Sequence, residues 1–558
     1  MTAPTLRRLY HLAAAVAMAA VATEWLRRWL LARRTPLLFD DSYMFLRYAG
    51  NVRHGLGYAW NPDGVHTYGP TSLLWSGCTL LLSYLPLNAW DKLIAGSGLC
   101  SLLAVVAMAW AVAANAGGSP LARTGRVLPL VAVPMLWAKV FSGNQFTGME
   151  TMLAMTLCGL FTGLALRWVQ GQVHPALPGA VAFLLVLARP ESALLGLLMP
   201  LLLWLLSPGQ RPPLRRLAGL YAVFLGLLVV QLLLCRLYFG TALPLSVYMK
   251  GRQAYLGYRG VWHPELILPT FLSGAGVFLA AWLLLARRAD RQLLLACGLP
   301  LLLVFTYLQT VTQIMGWNAR YYAPYLPLVV VPALLLLVRR IQDGDLPPPP
   351  ALRRRAAATG AMFLALLLLS SEAVQAKVRH AEHRARDEYD APVLQVDAAA
   401  PLPSMEWHPT MLAVTDQLVA PLPRGVTVAA TEVGYLGAHA PQVNIIDLAG
   451  LNDTDIALHG FHMDRLLARR PDLIWMPHAD YTYQRGVMFG DPRLLQQYDL
   501  YAGAANYGLA VRKQSPFRAA IERQLALFWA GTYPGTTPAA YQVHAASWSR
   551  AKRVVYGE

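Results

Sequence analysis

The chain has 558 residues, of which 56% are hydrophobic and only 14% charged, with a net charge of +17 and a mean hydropathy of +0.40. Soluble proteins average about 25% charged residues, so this composition excludes a disordered chain, a soluble basic protein and a coiled coil. Twelve of the 30 acidic residues fall in residues 1–375 and eighteen in 376–558, which predicts a membrane domain over 1–375 and a polar domain over 376–558.

The first apolar run begins at Leu9, directly after Arg7 and Arg8, and its start resembles a signal peptide. The segment from Trp25 to Leu31 extends the run to the length that a membrane span needs. We therefore expect an uncleaved first transmembrane helix.

Further apolar stretches follow along the first 375 residues. A transmembrane helix needs about 20 mostly apolar residues. Twelve stretches approach this length: 9–31, 71–87, 93–116, 127–141, 149–168, 177–189, 191–206, 217–236, 268–286, 291–311, 321–338 and 356–375. This pattern predicts a polytopic α-helical membrane protein.

The loops between these stretches predict its orientation. Basic loops lie on the cytoplasmic side of a membrane, and the basic loops here are 117–126, 207–216, 287–291 and 339–355. Residues 376–558 are then outside, in the periplasm of a bacterial inner membrane. With a cytoplasmic N-terminus the helix count must be odd, so we expect 11 or 13 transmembrane helices.

The same arginine clusters account for the net charge. No helix or sheet pattern presents a basic face that would read nucleic acid, so the lipid bilayer is the predicted partner and nucleic acid is not.

The segment 32–70, between the first two stretches, is rich in aromatic residues and glycine and contains the adjacent carboxylates Asp40 and Asp41. Adjacent like charges raise each other's pKa unless a cation compensates, and one of them can serve as a general base. The structural alternative is an N-cap of an amphipathic helix over 43–53.

Other charged residues stand at the ends of apolar stretches on the predicted outer face. They are Glu150, the pair Arg189 and Glu191 around Pro190, Lys250, and Arg320. Cations gathered there would suit a phosphate ligand. The alternatives are a local ion pair at the helix break for Arg189 and Glu191, and snorkelling to the interface for Lys250 and Arg320.

The sequence pattern of the C-terminal domain predicts an α/β fold. Val426–Thr431, Val443–Leu448 and Leu473–Met476 are short apolar runs of strand type, with helical patterns between them. His459 and His462 lie near several aspartates, but their spacing is not the usual one for a pair of metal ligands on a helix. We assign no metal site from the sequence, and a divalent cation stays open as a cofactor.

The order and spacing of several segments resemble the GT-C glycosyltransferases, and more narrowly the mycobacterial terminal arabinofuranosyltransferases of the AftB group. The resembling segments are Asp40-Asp41, Arg47-Tyr48, Asn61-Pro62, Tyr68–Trp75, Thr147–Thr151, Arg189-Pro190-Glu191, Tyr238–Lys250 and Glu432–Asp453, with Gly434-Tyr435-Leu436-Gly437 inside the last. They span most of the chain. Ser72-Leu73 stands where the family often has Ser-Pro, and Leu245-Ser246 where it often has Asn-Thr, departures that bear on the sugar and acceptor more than on the reaction.

The resemblance implies a GT-C type membrane domain whose first periplasmic loop, 32–70, is catalytic, and a periplasmic C-terminal α/β domain that helps to bind the acceptor. The implied donor is a polyprenyl phosphate carrying D-arabinofuranose, and the implied acceptor is an envelope glycan or protein. Asp40 or Asp41 would deprotonate the acceptor hydroxyl. The implied donor- and acceptor-binding residues are Tyr43, Arg47, Asn61, Tyr68, Glu150, Arg189, Glu191, Tyr248, Lys250, Asn318 and Arg320.

Other functions stay open at this stage. A related GT-C enzyme would transfer another sugar, such as mannose or aminoarabinose. A transporter or flippase of lipid-linked sugars would also need many helices, although the alternating-access type is expected to show paired repeats and polar sites at the midplane. A membrane anchor that presents its C-terminal domain to envelope partners would tolerate the loss of both aspartates.

Overall fold

The computed structural model describes residues 3–117, 120–207, 211–251, 264–311, 313, 315–344, 392–394, 402, 407–478, 481–504, 507–544 and 548–550. The chain is mostly helical up to Gln342 and forms a small mixed sheet from Thr427 to Val543. The predicted domain boundary at 375 and the apolar stretch 356–375 lie outside the described residues.

Fourteen helices make up the first part of the described chain. They are α1 (Ala3–Ala32), α2 (Asp40–Arg53), α3 (Leu73–Ser83), α4 (Ala89–Asn115), α5 (Pro120–Trp137), α6 (Lys139–Ser142), α7 (Thr151–Val169), α8 (Ala176–Ala188), α9 (Ala193–Leu205), α10 (Leu214–Phe239), α11 (Leu245–Gly251), α12 (Pro264–Leu285), α13 (Arg291–Leu308) and α14 (Pro327–Gln342). Short 3-10 turns cover Pro190–Ser192, Arg288–Asp290, Trp317–Ala319 and Ala323–Tyr325.

Six of the described helices are long and apolar enough to cross a membrane, namely α1, α4, α7, α10, α12 and α13. The segment Trp317–Tyr325 and α14 meet at a bend of 54° and make a seventh if the pair is one span. Four shorter apolar helices, α3, α5, α8 and α9, match further predicted stretches. Eleven of the twelve stretches are therefore helical, and the count of 11 to 13 spans stays a prediction.

Two helix breaks position charged side chains. Helix α8 ends at Ala188, and Arg189 is extended with φ −150° and ψ 110° because the residue before a proline is pushed out of the helical region. Arg320 lies in the bent segment before α14, where Asn318 adopts a left-handed φ of 54°. Both arginines thus lie where the backbone turns rather than on a regular helix.

The C-terminal sheet has six strands, and a separate pair of short strands lies outside it. The strands are β1 (Pro392–Leu394), β2 (Thr427–Ala430), β3 (Asn444–Asp447), β4 (Leu473–Trp475), β5 (Tyr498–Tyr501), β6 (Leu509–Arg512), β7 (Gln542–Val543) and β8 (Trp548–Arg550). The sheet order is β3-β2-β4-β6-β5-β7, with β3, β2 and β4 parallel and the rest antiparallel, while β1 pairs with β8. The three predicted strands are confirmed as β2, β3 and β4.

Helices connect and cover the strands of this α/β domain. They are α15 (Trp407–Ala413), continued by a π-helical segment Val414–Val419, then α16 (Gly434–His439), α17 (Thr454–His459), α18 (Met463–Ala468), α19 (Thr482–Gly490), α20 (Arg493–Gln497) and α21 (Arg518–Thr532). The parallel strands β2 and β3 are joined through α16, as a crossover between parallel strands requires.

The segment 32–70 is part of the core of the sheet domain. Tyr43, Tyr48 and Trp60 are buried in one hydrophobic cluster with the residues of β2, β3 and β4. Most of the remaining helices pack in a second cluster of their own. The predicted catalytic loop is therefore the joint between the helical part and the sheet domain.

Candidate functional site

The two adjacent aspartates open helix α2 and point to different partners. Phe39 is the extended N-cap residue, with φ −80° and ψ 93°, and both Asp40 and Asp41 lie in the first turn. Acidic side chains are favourable there because of the partial positive charge at a helix N-terminus. No side chain caps α2 itself, so both carboxylates are left to contacts outside their own helix.

Asp40 binds the N-terminus of α16 in the sheet domain. Its Oδ2 accepts the Gly434 N–H at 2.7 Å and its Oδ1 accepts the Tyr435 N–H at 2.6 Å. The side chain is buried, and this burial raises its pKa to about 7 against the lowering by the same backbone N–H groups. Both oxygens of Asp40 are thus committed to joining the two parts of the chain.

Glycine is required where α16 meets α2. A Cβ on Gly434 would lie 1.9 Å from the Asp40 carbonyl oxygen, and one on Gly437 would lie 2.8 Å from the Arg47 Cδ. These glycines, three residues apart, allow the two helices to approach each other closely, as small residues do at helix contacts.

Arg47 makes several contacts at the same joint. Its guanidinium donates to the Trp60 carbonyl at 2.6 Å and lies over the Trp60 ring. In the sheet domain it donates to the carbonyls of Gly437 at 2.9 Å, Ala440 at 3.3 Å and Val443 at 2.9 Å. A buried arginine with several carbonyl acceptors holds the joint together and is not positioned for an anionic ligand.

Asn61 pairs with the edge strand β3. Its Oδ1 accepts the Ile445 N–H at 2.8 Å and its Nδ2 donates to the Ile445 carbonyl at 3.0 Å. The side-chain amide satisfies backbone groups that an edge strand leaves open. The Asn61 Oδ1 also accepts from Arg47 at 3.2 Å.

Two tyrosines of the segment 32–70 also make contacts that hold this segment in place. The Tyr43 hydroxyl accepts the Leu37 N–H at 2.7 Å, and its ring meets the Tyr435 ring edge to face. Tyr68 stacks on Phe239 at 4.8 Å between ring centroids. These rings hold the segment between α10 and the sheet domain.

Asp41 points the other way, into a cluster of charged side chains that we call the charge cluster: Asp41, Glu150, Arg189, Glu191, Lys250 and Arg320. Arg320 Nη2 donates to Asp41 Oδ2 at 3.3 Å, and both side chains are largely buried. Arg189 binds Glu150 at 2.8 Å and Glu191 at 2.6 Å. The structure therefore brings together six of the predicted site residues, and the alternative of a local Arg189–Glu191 pair is confirmed as part of this arrangement.

The ring of Tyr321 lies at the centre of the charge cluster. Arg189 Cζ, Arg320 Cζ and Lys250 Nζ lie 4.9, 5.1 and 5.5 Å from its centroid. Its hydroxyl accepts from Lys250 Nζ at 3.2 Å and from Arg320 Nη2 at 3.3 Å. Three cations thus converge on one buried aromatic side chain, an arrangement in which each cation is attracted by the π face.

Sequence reasoning did not single out Tyr321 as a site residue. The residue is the first of the predicted apolar stretch 321–338, where an aromatic residue is expected as a membrane-interface anchor. Its position directly after Arg320, in a stretch with few charges, was the signal that could have indicated its role.

Two further predicted residues lie on the same segments as members of the charge cluster. Asn318 donates through Nδ2 to the Gly143 carbonyl at 3.2 Å, and its own carbonyl accepts from Asn144 at 2.9 Å. These bonds hold the left-handed turn that presents Arg320. Tyr248 is half-buried on α11, the helix that also carries Lys250.

The described residues contain no group of three or more His, Cys, Asp or Glu side chains placed to hold a metal ion. His459 is exposed and contacts Asp455, and the His462 Nε2 contacts the His459 carbonyl. Neither histidine belongs to the charge cluster.

Comparison with known families matches only the C-terminal part of the chain. A family described as a domain of unknown function, DUF8728, matches residues 404–541, which contain the six-stranded sheet except its edge strand β7. No curated protein matches the chain.

Proposed function

We propose that the chain is a multi-pass glycosyltransferase of the bacterial inner membrane, of GT-C type. It moves D-arabinofuranose from a polyprenyl-phosphate donor to an envelope glycan or protein acceptor on the periplasmic face. The long apolar helices support the membrane location, and the basic loops support the orientation.

The observation that carries the proposal is the convergence of the charge cluster on Tyr321. A charged side chain inside a membrane domain costs roughly 2.5–3.5 kcal/mol on insertion scales, so such residues pair or serve a site. Separate segments of the chain supply Asp41, Lys250 and Arg320.

Lys250 is the member best suited to the donor phosphate. Its ammonium contacts the hydroxyl and ring of Tyr321, and among the described residues no carboxylate oxygen lies within 4.0 Å of it. The two arginines of the cluster have carboxylate partners, namely Asp41, Glu150 and Glu191. A phosphate diester would be the corresponding anionic partner of Lys250.

Asp41 is the general base in this proposal, and Asp40 is a positioning residue. Asp41 keeps one described partner, Arg320, and its second oxygen is open to an acceptor hydroxyl. Asp40 has both oxygens engaged by α16, so it holds the first turn of α2 in place.

Turnover of defined donors by the purified full-length chain in detergent tests the proposal. Synthetic polyprenyl-phosphate arabinofuranose, mannose and aminoarabinose are offered in parallel with an oligosaccharide acceptor, and products are identified by mass spectrometry. We expect a product one arabinofuranose heavier than the acceptor. Flipping of the donor in vesicles without product in either setting would show a transporter and overturn the proposal.

Replacing Lys250 tests the phosphate contact. We expect Lys250→Met to raise the KM for the donor about tenfold and to lower kcat as well, because the phosphate that Lys250 holds gains negative charge as its bond to the sugar breaks. Steady-state kinetics measure KM and kcat separately. The exposed Lys139, changed to Met, is the matched control and should leave both constants unchanged; equal constants in both variants would contradict the assignment of Lys250.

A further inference from the structure

Arg320 connects the base to the phosphate position. The same nitrogen, Nη2, donates to Asp41 Oδ2 and to the Tyr321 hydroxyl, each at 3.3 Å. The guanidinium lies between two aromatic rings, 5.5 Å from the centroid of Phe39 and 5.1 Å from that of Tyr321. The rings thus hold its location, while its Nη2 faces the Asp41 carboxylate and the Tyr321 hydroxyl as alternative acceptors.

The Tyr321 hydroxyl marks where an anionic oxygen would bind. A neutral phenol oxygen accepts from two cations, Lys250 at 3.2 Å and Arg320 at 3.3 Å. Charge-assisted hydrogen bonds to an anionic acceptor are about twice as strong as those to a neutral one. A phosphate oxygen between the two cations would therefore join the phenol oxygen as their acceptor, while the phenol keeps both cations in place.

We infer that Arg320 changes partner during transfer, from Asp41 to the leaving phosphate, with Tyr321 as the positioning residue that holds it between them. This inference rests on the proposed function. It assigns to Arg320 a coupling of proton abstraction with stabilisation of the leaving group.

The charges balance in this step. The acceptor hydroxyl proton moves to Asp41, and the acceptor oxygen bonds to the anomeric carbon. The bond from that carbon to the phosphate oxygen breaks, and its electron pair stays on the oxygen. Asp41 becomes neutral as the phosphate changes from a monoanionic diester to a dianionic monoester, so Arg320 loses its carboxylate partner when a new anion needs a cation.

A double-mutant cycle on phosphate binding tests the exchange. The probe is farnesyl phosphate, a short isoprenyl phosphate monoester, with farnesol as the control that lacks the phosphate, and binding to the full-length chain is measured by calorimetry in detergent. Asp41→Asn imitates the neutral base, so we expect it to bind farnesyl phosphate about tenfold more tightly than the unaltered chain does. In the Arg320→Gln background the same change should improve binding less than threefold.

Each outcome has a distinct meaning. An equal gain in both backgrounds would show simple relief of repulsion and overturn the exchange of partners. No binding of farnesyl phosphate by either the unaltered chain or Asp41→Asn would overturn the proposed function as well. Binding of farnesol as tight as that of farnesyl phosphate would have the same consequence, since the site would then recognise only the isoprenyl chain.

Tyr321→Phe tests the positioning role without removing a charge. The variant keeps the ring that the cations face and loses the hydroxyl. We expect it to weaken farnesyl phosphate binding three- to tenfold and to leave farnesol binding unchanged. Arg53→Lys, at the exposed end of α2, is the control for an arginine outside the charge cluster, and thermal unfolding of every variant reports on folding. Unchanged farnesyl phosphate binding by a folded Tyr321→Phe would overturn the role of Tyr321.

Discussion

Asp41→Asn should reduce sugar transfer by about 10²–10⁴-fold in a chain that still folds, because it removes a positioned base and keeps the side-chain shape. The amide oxygen of the substituted side chain can still accept from Arg320, whose bond to Asp41 is long at 3.3 Å. Single-turnover kinetics with saturating donor measure the chemical step, and thermal unfolding in detergent measures stability.

Asp40→Asn is the matched comparison and should show the opposite pattern. In the native chain each carboxylate oxygen of Asp40 accepts one backbone N–H, that of Gly434 or that of Tyr435. The asparagine amide has only one oxygen to accept from them. One buried N–H then faces an NH₂ group, and an unsatisfied buried donor costs about 1–3 kcal/mol. We expect a lower unfolding temperature and a smaller loss of activity than in Asp41→Asn.

The exposed Asp63, in the same segment, is the control for both variants. It accepts the Val65 N–H in a surface turn, and Asp63→Asn should change neither rate nor stability. If Asp40→Asn removed transfer as completely as Asp41→Asn while remaining fully folded, the division of roles between the two aspartates would be wrong.

Hydropathy was sufficient to predict the helices because each one is a local property of the chain. Eleven of the twelve apolar stretches are helical, and three of the sheet strands were found from apolar runs. Strands β5 and β6 were not predicted from the sequence. Tyr498–Tyr501 carries Asp499 in its middle, and Leu509–Arg512 follows Gly508 and ends in a charged residue, so neither stands out as an apolar run.

The sequence identified the charged residues of the candidate site but not their contacts, because these contacts join residues that are far apart in sequence. Asp41 and Arg320 are separated by 279 residues, and Asp40 and Gly434 by 394. The rarity of charge in the helical part indicated which residues to examine. It did not indicate that Arg47 and Asn61 face the sheet domain while Lys250 faces Tyr321, since that depends on how the two parts dock.

Arg47 bridges the helical part and the sheet domain through several hydrogen bonds. Arg47→Met keeps the apolar stem and removes the guanidinium, so the carbonyls of Gly437 and Val443 lose their side-chain donor inside the core. We expect a loss of at least about 2 kcal/mol in the free energy of unfolding, since each of these two unsatisfied buried carbonyls costs about 1–3 kcal/mol. Thermal unfolding and the rate at which a protease cleaves the sheet domain measure the effect.

Arg53→Met on the same helix provides the control for this change. Arg53 is exposed and donates to the Ser83 carbonyl, and surface substitutions usually stay within about 0.5 kcal/mol. An Arg47→Met chain as stable and as protease-resistant as Arg53→Met would mean that the docking of the sheet domain does not depend on this arginine. Loss of transfer at a temperature where the Arg47→Met chain is still folded would indicate that Asp41 reaches the charge cluster only while α2 is held between the two parts.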